Sequence, residues 1–329
     1  MSKRNGLILA GMVLVLGAMG VAKGETAAAA DPAKVDKDFA IQGEYVGEYA
    51  EDPDEKTKVG AQIIALGDGK FQVVGYPGGL PGDGWDNEVR ERIDGEAKDG
   101  AAVFVGQTLT GTVKEGVMTV VNREGKQVAT LKKVLRKSVT LGAKPPAGAV
   151  VLFDGTSADE WKEGKMTEEG LLMQGTETQR KFKDCSLHVE FRLPYEPKGR
   201  GQGRGNSGVY MQGCFETQVL DSFGLEAKNN ECGGIYSVAD PLLPMSYPPL
   251  SWQTYDIDFT APVFDATGKK TKNATMTVKF NGVLIHEKVE VPGPTTAAPR
   301  KESVEGGPIY IQDHGHAVRF RNIWVVEKK

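Results

Sequence analysis

Cysteine is scarce in this sequence, with three residues in 329, at Cys185, Cys214 and Cys232. A disulfide-built scaffold is therefore excluded: one pair at most can form, with one thiol left over, and Cys214–Cys232 is a pairing open to an exported chain. The cysteine spacings match no zinc site. A basic excess is also missing. Forty Lys and Arg stand against 44 Asp and Glu, for a formal net charge of −4, so nucleic acid is not an expected partner. No Asp-x-Asp-x-Asp-Gly loop is present, which leaves a calcium site of that kind without its sequence signature. Helix-period segments are nearly absent. Long apolar runs occur in one place, the N-terminus, where Lys3 and Arg4 precede an apolar stretch over residues 7–22 and then small residues. That stretch is short for a membrane-spanning helix. Residues 1–30 are read as an export signal and leader, the mature protein as periplasmic or extracellular, and no membrane span is expected after signal removal.

What the chain has in quantity is short alternating segments separated by Gly, Asn, Asp and Pro. A length of 329 residues allows about two domains. Residues 43–49 alternate, and 59–66 and 70–76 flank Gly67-Asp68-Gly69, a hairpin signal. Segments 101–109, 112–114, 117–122 and 127–133 continue the series. These predict a small all-β domain over residues 38–142 whose chemistry is silent and whose role the sequence does not identify. A Pro-rich linker, 143–148, follows, and a second strand-rich unit occupies 149–329. In it, residues 186–192 alternate with Leu187, Val189 and Phe191 on one face and His188, Glu190 and Arg192 on the other. Gly199 to Gly205 reads as a flexible loop, and Asn281-Gly282 as a hairpin turn. The fold class expected is all-β, with two stacked antiparallel sheets in the second unit. Trp161 and Trp324 read as core, and His286 as exposed.

The stretch Gly205–Ser222 carries the densest polar patterning. It reads as two strands around a turn at Gly213-Cys214, with Phe215, Thr217 and Val219 on one side and Glu216 and Gln218 on the other. A bulge near Val219–Leu220 would bring Asp221 alongside that polar pair. An acid, an amide and an acid in a row are costly to bury, which suggests a site for a polar ligand. Asn206, Ser207 and a second polar strand end, Gln312-Asp313-His314-Gly315-His316, add to it.

The residues Phe182, His188 to Arg192, Gly205 to Tyr210, Glu216 to Ser222, Cys232 to Tyr236, Trp252 to Asp256, Asn281-Gly282, Gln312 to Gly315 and Phe320 to Ile323 together resemble the 3-keto-disaccharide hydrolase domain family over about residues 148–329. The resemblance implies a concanavalin A-like antiparallel β-sandwich (jelly roll) and cleavage of glycosides already oxidised to a ketone at C3. Such chemistry needs a base near C2, stabilisation of an enolate and a proton for the leaving oxygen. The chemistry then nominates Glu190, Glu216 and His314 as catalytic, with the same three as candidate ligands should a divalent metal ion take part; no other cofactor is indicated. Asn206, Gln218, Asp221, Tyr236, Trp252 and Gln312 are nominated to bind a carbohydrate substrate; protein partners are left open, the first domain being able to dock the enzyme to a partner or to carbohydrate. Two other readings stand beside this one: a non-catalytic lectin-like module, and a retaining β-glucanase. The Glu216-x-Gln218-x-x-Asp221 row is similar to the Glu-x-Asp-x-x-Glu strand of the latter, but has an amide where that strand has a carboxylate.

Overall fold

The computed structural model describes residues 31–88 and 90–328. The proposed export segment lies outside them. Thirteen strands follow eight, and the first eight close on themselves: β1 (Gly43–Tyr49), β2 (Thr57–Gly67), β3 (Lys70–Pro77), β4 (Glu91–Lys98), β5 (Ala101–Val105), β6 (Leu109–Lys114), β7 (Val117–Asn122) and β8 (Gln127–Val134). Each pairs antiparallel with the next and β8 returns to β1, with Gly47 opposite Leu131, so the barrel has no open edge. Alternation sorts its residues. Tyr45, Ile63, Phe71 and Phe104 point inward. Ile64, Val74 and Tyr76 face out and, with Trp85, pack against Phe223 of the second unit. Trp85 is thus buried against the Tyr76 ring.

The remaining strands are β9 (Val150–Phe153), β10 (Leu172–Met173), β11 (Thr176–Glu177), β12 (Cys185–Arg192), β13 (Ser207–Met211), β14 (Phe215–Val219), β15 (Trp252–Thr260), β16 (Val263–Phe264), β17 (Lys270–Lys272), β18 (Ala274–Phe280), β19 (Val283–Val291), β20 (Tyr310–Ile311) and β21 (Arg319–Glu327). A seven-stranded sheet runs β10-β21-β12-β15-β18-β19, with β9 also on β21; a four-stranded sheet runs β11-β20-β13-β14. One apolar core joins them. Leu187, Val189 and Phe191 of β12 meet Val209, Met211, Phe215 and Val219 of β13 and β14 in it. The fold is an all-β sandwich, and the helical content of the described residues is limited to short 3-10 turns. None of its helices is long and apolar enough to cross a membrane.

Charged side chains tie barrel to sandwich. Arg136, two residues past β8, forks onto the buried Glu44 carboxylate of β1, its Nε 2.7 Å from Oε2, and lays its guanidinium over the Tyr247 ring of the second unit at 4.9 Å. Arg204 holds Asp221 at 2.6 Å while its Nη1 reaches the Ala65 carbonyl at 3.3 Å. Cys185, Cys214 and Cys232 are all free thiols and buried, so the Cys214–Cys232 pairing is not formed.

Candidate active site

The hairpin β13–β14 turns at Gln212 and Gly213, both with left-handed φ (56° and 65°), and Cys214 N–H closes it onto the Met211 carbonyl. This register sets Gly208 against Gln218 and Tyr210 against Glu216. Because Val209, Met211, Phe215 and Val219 point into the core, these four residues face outward. The outer face of the four-stranded sheet is therefore a cross-strand row, Glu177–Tyr310–Tyr210–Glu216, with the Tyr210 and Tyr310 rings 5.4 Å apart.

Glu216 sits at the floor of that face, 2% exposed. Burial pushes its carboxyl up to about 8, against a lowering hydrogen bond from Tyr210. The Tyr210 hydroxyl accepts from Gln312 Nε2 at 3.1 Å, so Gln312, Tyr210 and Glu216 form one chain. Gly208 makes room for it: a Cβ there would lie 2.4 Å from Glu216 Oε1. On the far side Tyr236, half-buried, pairs its backbone N–H with the Glu216 carbonyl at 3.3 Å. Asn206 and Gln218 are tied together through Gln202, which accepts from both side-chain amides at 3.2 and 3.1 Å. Asn206 Oδ1 is buried with no hydrogen-bond partner. At the other edge of the face, Glu177 is held by Arg300 (Nε–Oε2 2.8 Å) and Lys162 (2.6 Å), and these line a cleft of about 470 Å³ that reaches Tyr310.

The structure thus brings together Asn206, Glu216, Gln218, Tyr236 and Gln312. It separates the other nominees. Glu190 projects from the outer face of the opposite sheet, since Val189 and Phe191 beside it are core. There it accepts from Gly142 N–H, from Arg321 Nε at 2.7 Å and from Asn322 Nδ2 at 2.9 Å. Trp252 shares that far face, with the Arg321 and Arg192 guanidinium groups over its ring at 3.9 and 5.1 Å. Asp221 lies beyond the end of β14, whose ladder shows no bulge, and is consumed by the buried Arg204 ion pair. His314 stands exposed at the rim, two residues past Gln312, stacked at 6.2 Å on His316, which bonds Glu196 at 2.7 Å. A metal site of Glu190, Glu216 and His314 does not fit: two of the three point away from each other across the sandwich. Among the described residues no group of three His, Cys, Asp or Glu side chains is placed to hold an ion.

Three participants escaped the sequence reading. Tyr210 shares parity with Gly208 and faces Glu216 once the turn is placed, so its role was readable from the hairpin. Gln202 sits in the Gly-rich loop expected to be flexible, yet that loop forms a 3-10 turn over Gly201–Gly203. Tyr310 belongs to a two-residue strand too short to show alternation. Elsewhere, Trp324 is outside the core, stacked on His188 at 5.0 Å, and His286 is buried with Nε2 2.8 Å from the Gly233 carbonyl.

Residues 148–326 match the 3-keto-alpha-glucoside-1,2-lyase-like domain. The chain belongs to this family. Among solved structures, a protein of Parabacteroides distasonis ATCC 8503 described as a "putative glycosyl hydrolase" is 34% identical, with a TM-score of 0.51 over 56% of this chain and 85% of its own. A second structure so described, from the same organism, is 18% identical, with a TM-score of 0.41 over 55% of this chain and 95% of its own. No curated protein matches. The lyase-like domain is thus a carbohydrate-active, glycoside hydrolase-type enzyme domain on a β-sandwich, and the match does not extend over the barrel.

Proposed function

We propose that the protein cleaves glycosides carrying a ketone at C3, with Glu216 as the base. A single observation carries this: one buried carboxyl lies on the polar face with its pKa raised to about 8 by burial, and no neighbouring charge is among the causes of that shift. Hydrolysis of an ordinary glycoside needs two carboxyl groups, about 5–5.5 Å apart for retention or 6.5–9.5 Å for inversion. Glu177, on the same face, is three strands from Glu216, roughly 14 Å at the usual strand spacing. Asp221 is engaged by Arg204. Elimination needs less. A C3 ketone acidifies the C2 proton; Glu216 takes it, and the electron pair moves onto the ketone oxygen as an enolate. Collapse of the enolate breaks the bond from C1 to the aglycone oxygen, which takes back the proton held on Glu216 and leaves as the alcohol; a C1=C2 double bond remains, across which water adds to give a net hydrolysis. Gln218, Gln312 and Asn206 border the sugar, and the unpartnered Asn206 Oδ1 suits a sugar hydroxyl. We place the reaction outside the cytoplasm, supported by the charged-then-apolar N-terminal stretch.

Purified protein is expected to release p-nitrophenol from p-nitrophenyl 3-keto-α-glucoside and to leave the unoxidised glucoside intact. Comparable cleavage of both would point to ordinary glycosidase chemistry, and binding without turnover of either would point to a lectin. Tyr210→Phe adds a second check. The Tyr210 hydrogen bond lowers the Glu216 pKa, so its loss raises that pKa. The alkaline rise in kcat/KM should then move to higher pH, with a rate loss of about 10-fold near pH 7.

A further inference from the structure

We propose that the β1–β8 barrel takes up a small, uncharged, predominantly hydrocarbon molecule through one open end. The barrel holds a cavity of about 360 Å³, lined by Val59, Val73, Ile93, Phe104, Leu109 and Met118. One end is plugged. The 3-10 helix Lys37–Ala40 lies across it; Tyr45 Oη donates to the Ile41 carbonyl at 2.6 Å, and Phe39 packs edge-on to Tyr195 of the sandwich at 5.1 Å. At the other end the lining runs out to the exposed Thr57, Pro77 and Glu91.

The hollow has a sequence cause. Phe71 and Val73 of β3 point inward, and the next inward position is Gly75, where an added Cβ would meet nothing nearer than 4.0 Å. Packed interiors leave few voids larger than a water, and an eight-stranded barrel is just wide enough either to be filled by its side chains or to hold one small ligand. This one is unfilled towards its mouth. Its volume is more than twice the roughly 150 Å³ that admits benzene, enough for two fused rings or a chain of about ten carbons. Among the described lining residues Glu91 is the one charged side chain, and the Tyr49 hydroxyl at the mouth is spent on Glu51 at 2.6 Å. The Glu91 carboxylate disfavours an anionic head at the mouth, and the apolar wall offers no partner to a charge carried inside, so the cavity suits an uncharged ligand. None of this depends on the role given to Glu216.

Titration of the full-length protein with N-phenyl-1-naphthylamine is expected to give a saturable one-site fluorescence rise that 1-decanol displaces. Gly75→Leu should weaken probe binding by at least about 10-fold, as a filled pocket requires, while 3-keto-glucoside turnover stays at the wild-type rate. Ala61→Leu, also on the cavity wall, should do the same and decides the matter if Gly75→Leu fails to fold by circular dichroism. Glu216→Gln should bind the probe like wild type, which keeps this test separate from that of the active site. Absence of a saturable rise, failure of decanol to compete, or wild-type affinity in the folded cavity variants would overturn the proposal.

Discussion

Glu216→Gln is expected to lower kcat on a 3-keto-glucoside by about 10²- to 10⁴-fold, the range typical for loss of a general base. The amide keeps the shape and can still receive the Tyr210 hydrogen bond, but it cannot take a proton from C2. In the wild-type protein, with a carboxyl titrating near 8, roughly a tenth of the base is ionised at pH 7. The rate should rise with pH and level off above about 8, and the residual activity of the variant should lose that dependence. Stability should move the other way. Burial raises this carboxyl above its unfolded value, so folding favours the protonated form. That contribution is complete below about pH 4.5 and is lost as pH climbs towards 8. At pH 8 the neutral Gln avoids the cost of an ionised buried carboxyl, and the variant should melt at or above the wild-type temperature. Unchanged turnover in a folded Glu216→Gln protein would remove the proposed base, and a lower melting temperature would recast Glu216 as structural.

Strand positions were readable wherever alternation was clean and a turn residue was present. Asn281-Gly282, with φ of 53° and 85°, forms the expected hairpin turn, joining β18 to β19. Strand β4 went unseen because Glu-Arg-Ile-Asp-Gly-Glu-Ala-Lys offers Ile93 and a glycine, Gly95, as its inward positions and leaves most of its side chains in water. The single segment read at 101–109 is broken at Val105 before β6. Barrel closure depends on β1 meeting β8, a pairing across more than eighty residues that no local pattern encodes. The site shows the same limit. Alternation separates the two faces of β12 and of β14 equally well, but does not say which outer face stays available to a ligand. For β14 the outward row is Glu216 and Gln218 beside Asn206 and Gln312. For β12 it is His188 and Glu190, and residues 142–143 of the connecting segment lie over it, with Asn322 Nδ2 and Trp324 Nε1 donating to the Ala143 carbonyl at 3.0 and 3.3 Å. Asp221 likewise lost its place in the row to an arginine in a glycine-rich loop seventeen residues upstream.

Glu190→Gln should give the opposite phenotype to Glu216→Gln: near-normal kcat and a large loss of stability. Burial alone would raise the Glu190 carboxyl, but His188, its Nε2 3.7 Å away, and bonds from Asn322, the Gly142 N–H and Arg321 outweigh it and hold it down at about 2. Several donors converge on its two oxygens, so an amide must turn its own N–H groups towards at least one of them. It also leaves Arg321 without its counter-charge, the Nε–Oε2 contact of 2.7 Å being the guanidinium's ion pair with this sheet. Arg321 is partly exposed, so the loss is that of hydrogen bonds to a buried charged group, about 1.5–3 kcal/mol, or roughly 3–12 °C in melting temperature for a domain of this size. The pH signature follows from the depressed pKa. The wild-type contribution is present above about pH 4.5 and fades as pH falls towards 2, so the difference in melting temperature between wild type and variant should be full at pH 7 and shrink on acidification. Because Gly142 is one of the donors, the connection between barrel and sandwich should loosen first, and limited proteolysis should cut the variant within residues 140–149 before either sheet system is attacked. A stable Glu190→Gln protein with abolished turnover would return this carboxylate to the chemistry and place the reaction on the opposite face of the sandwich.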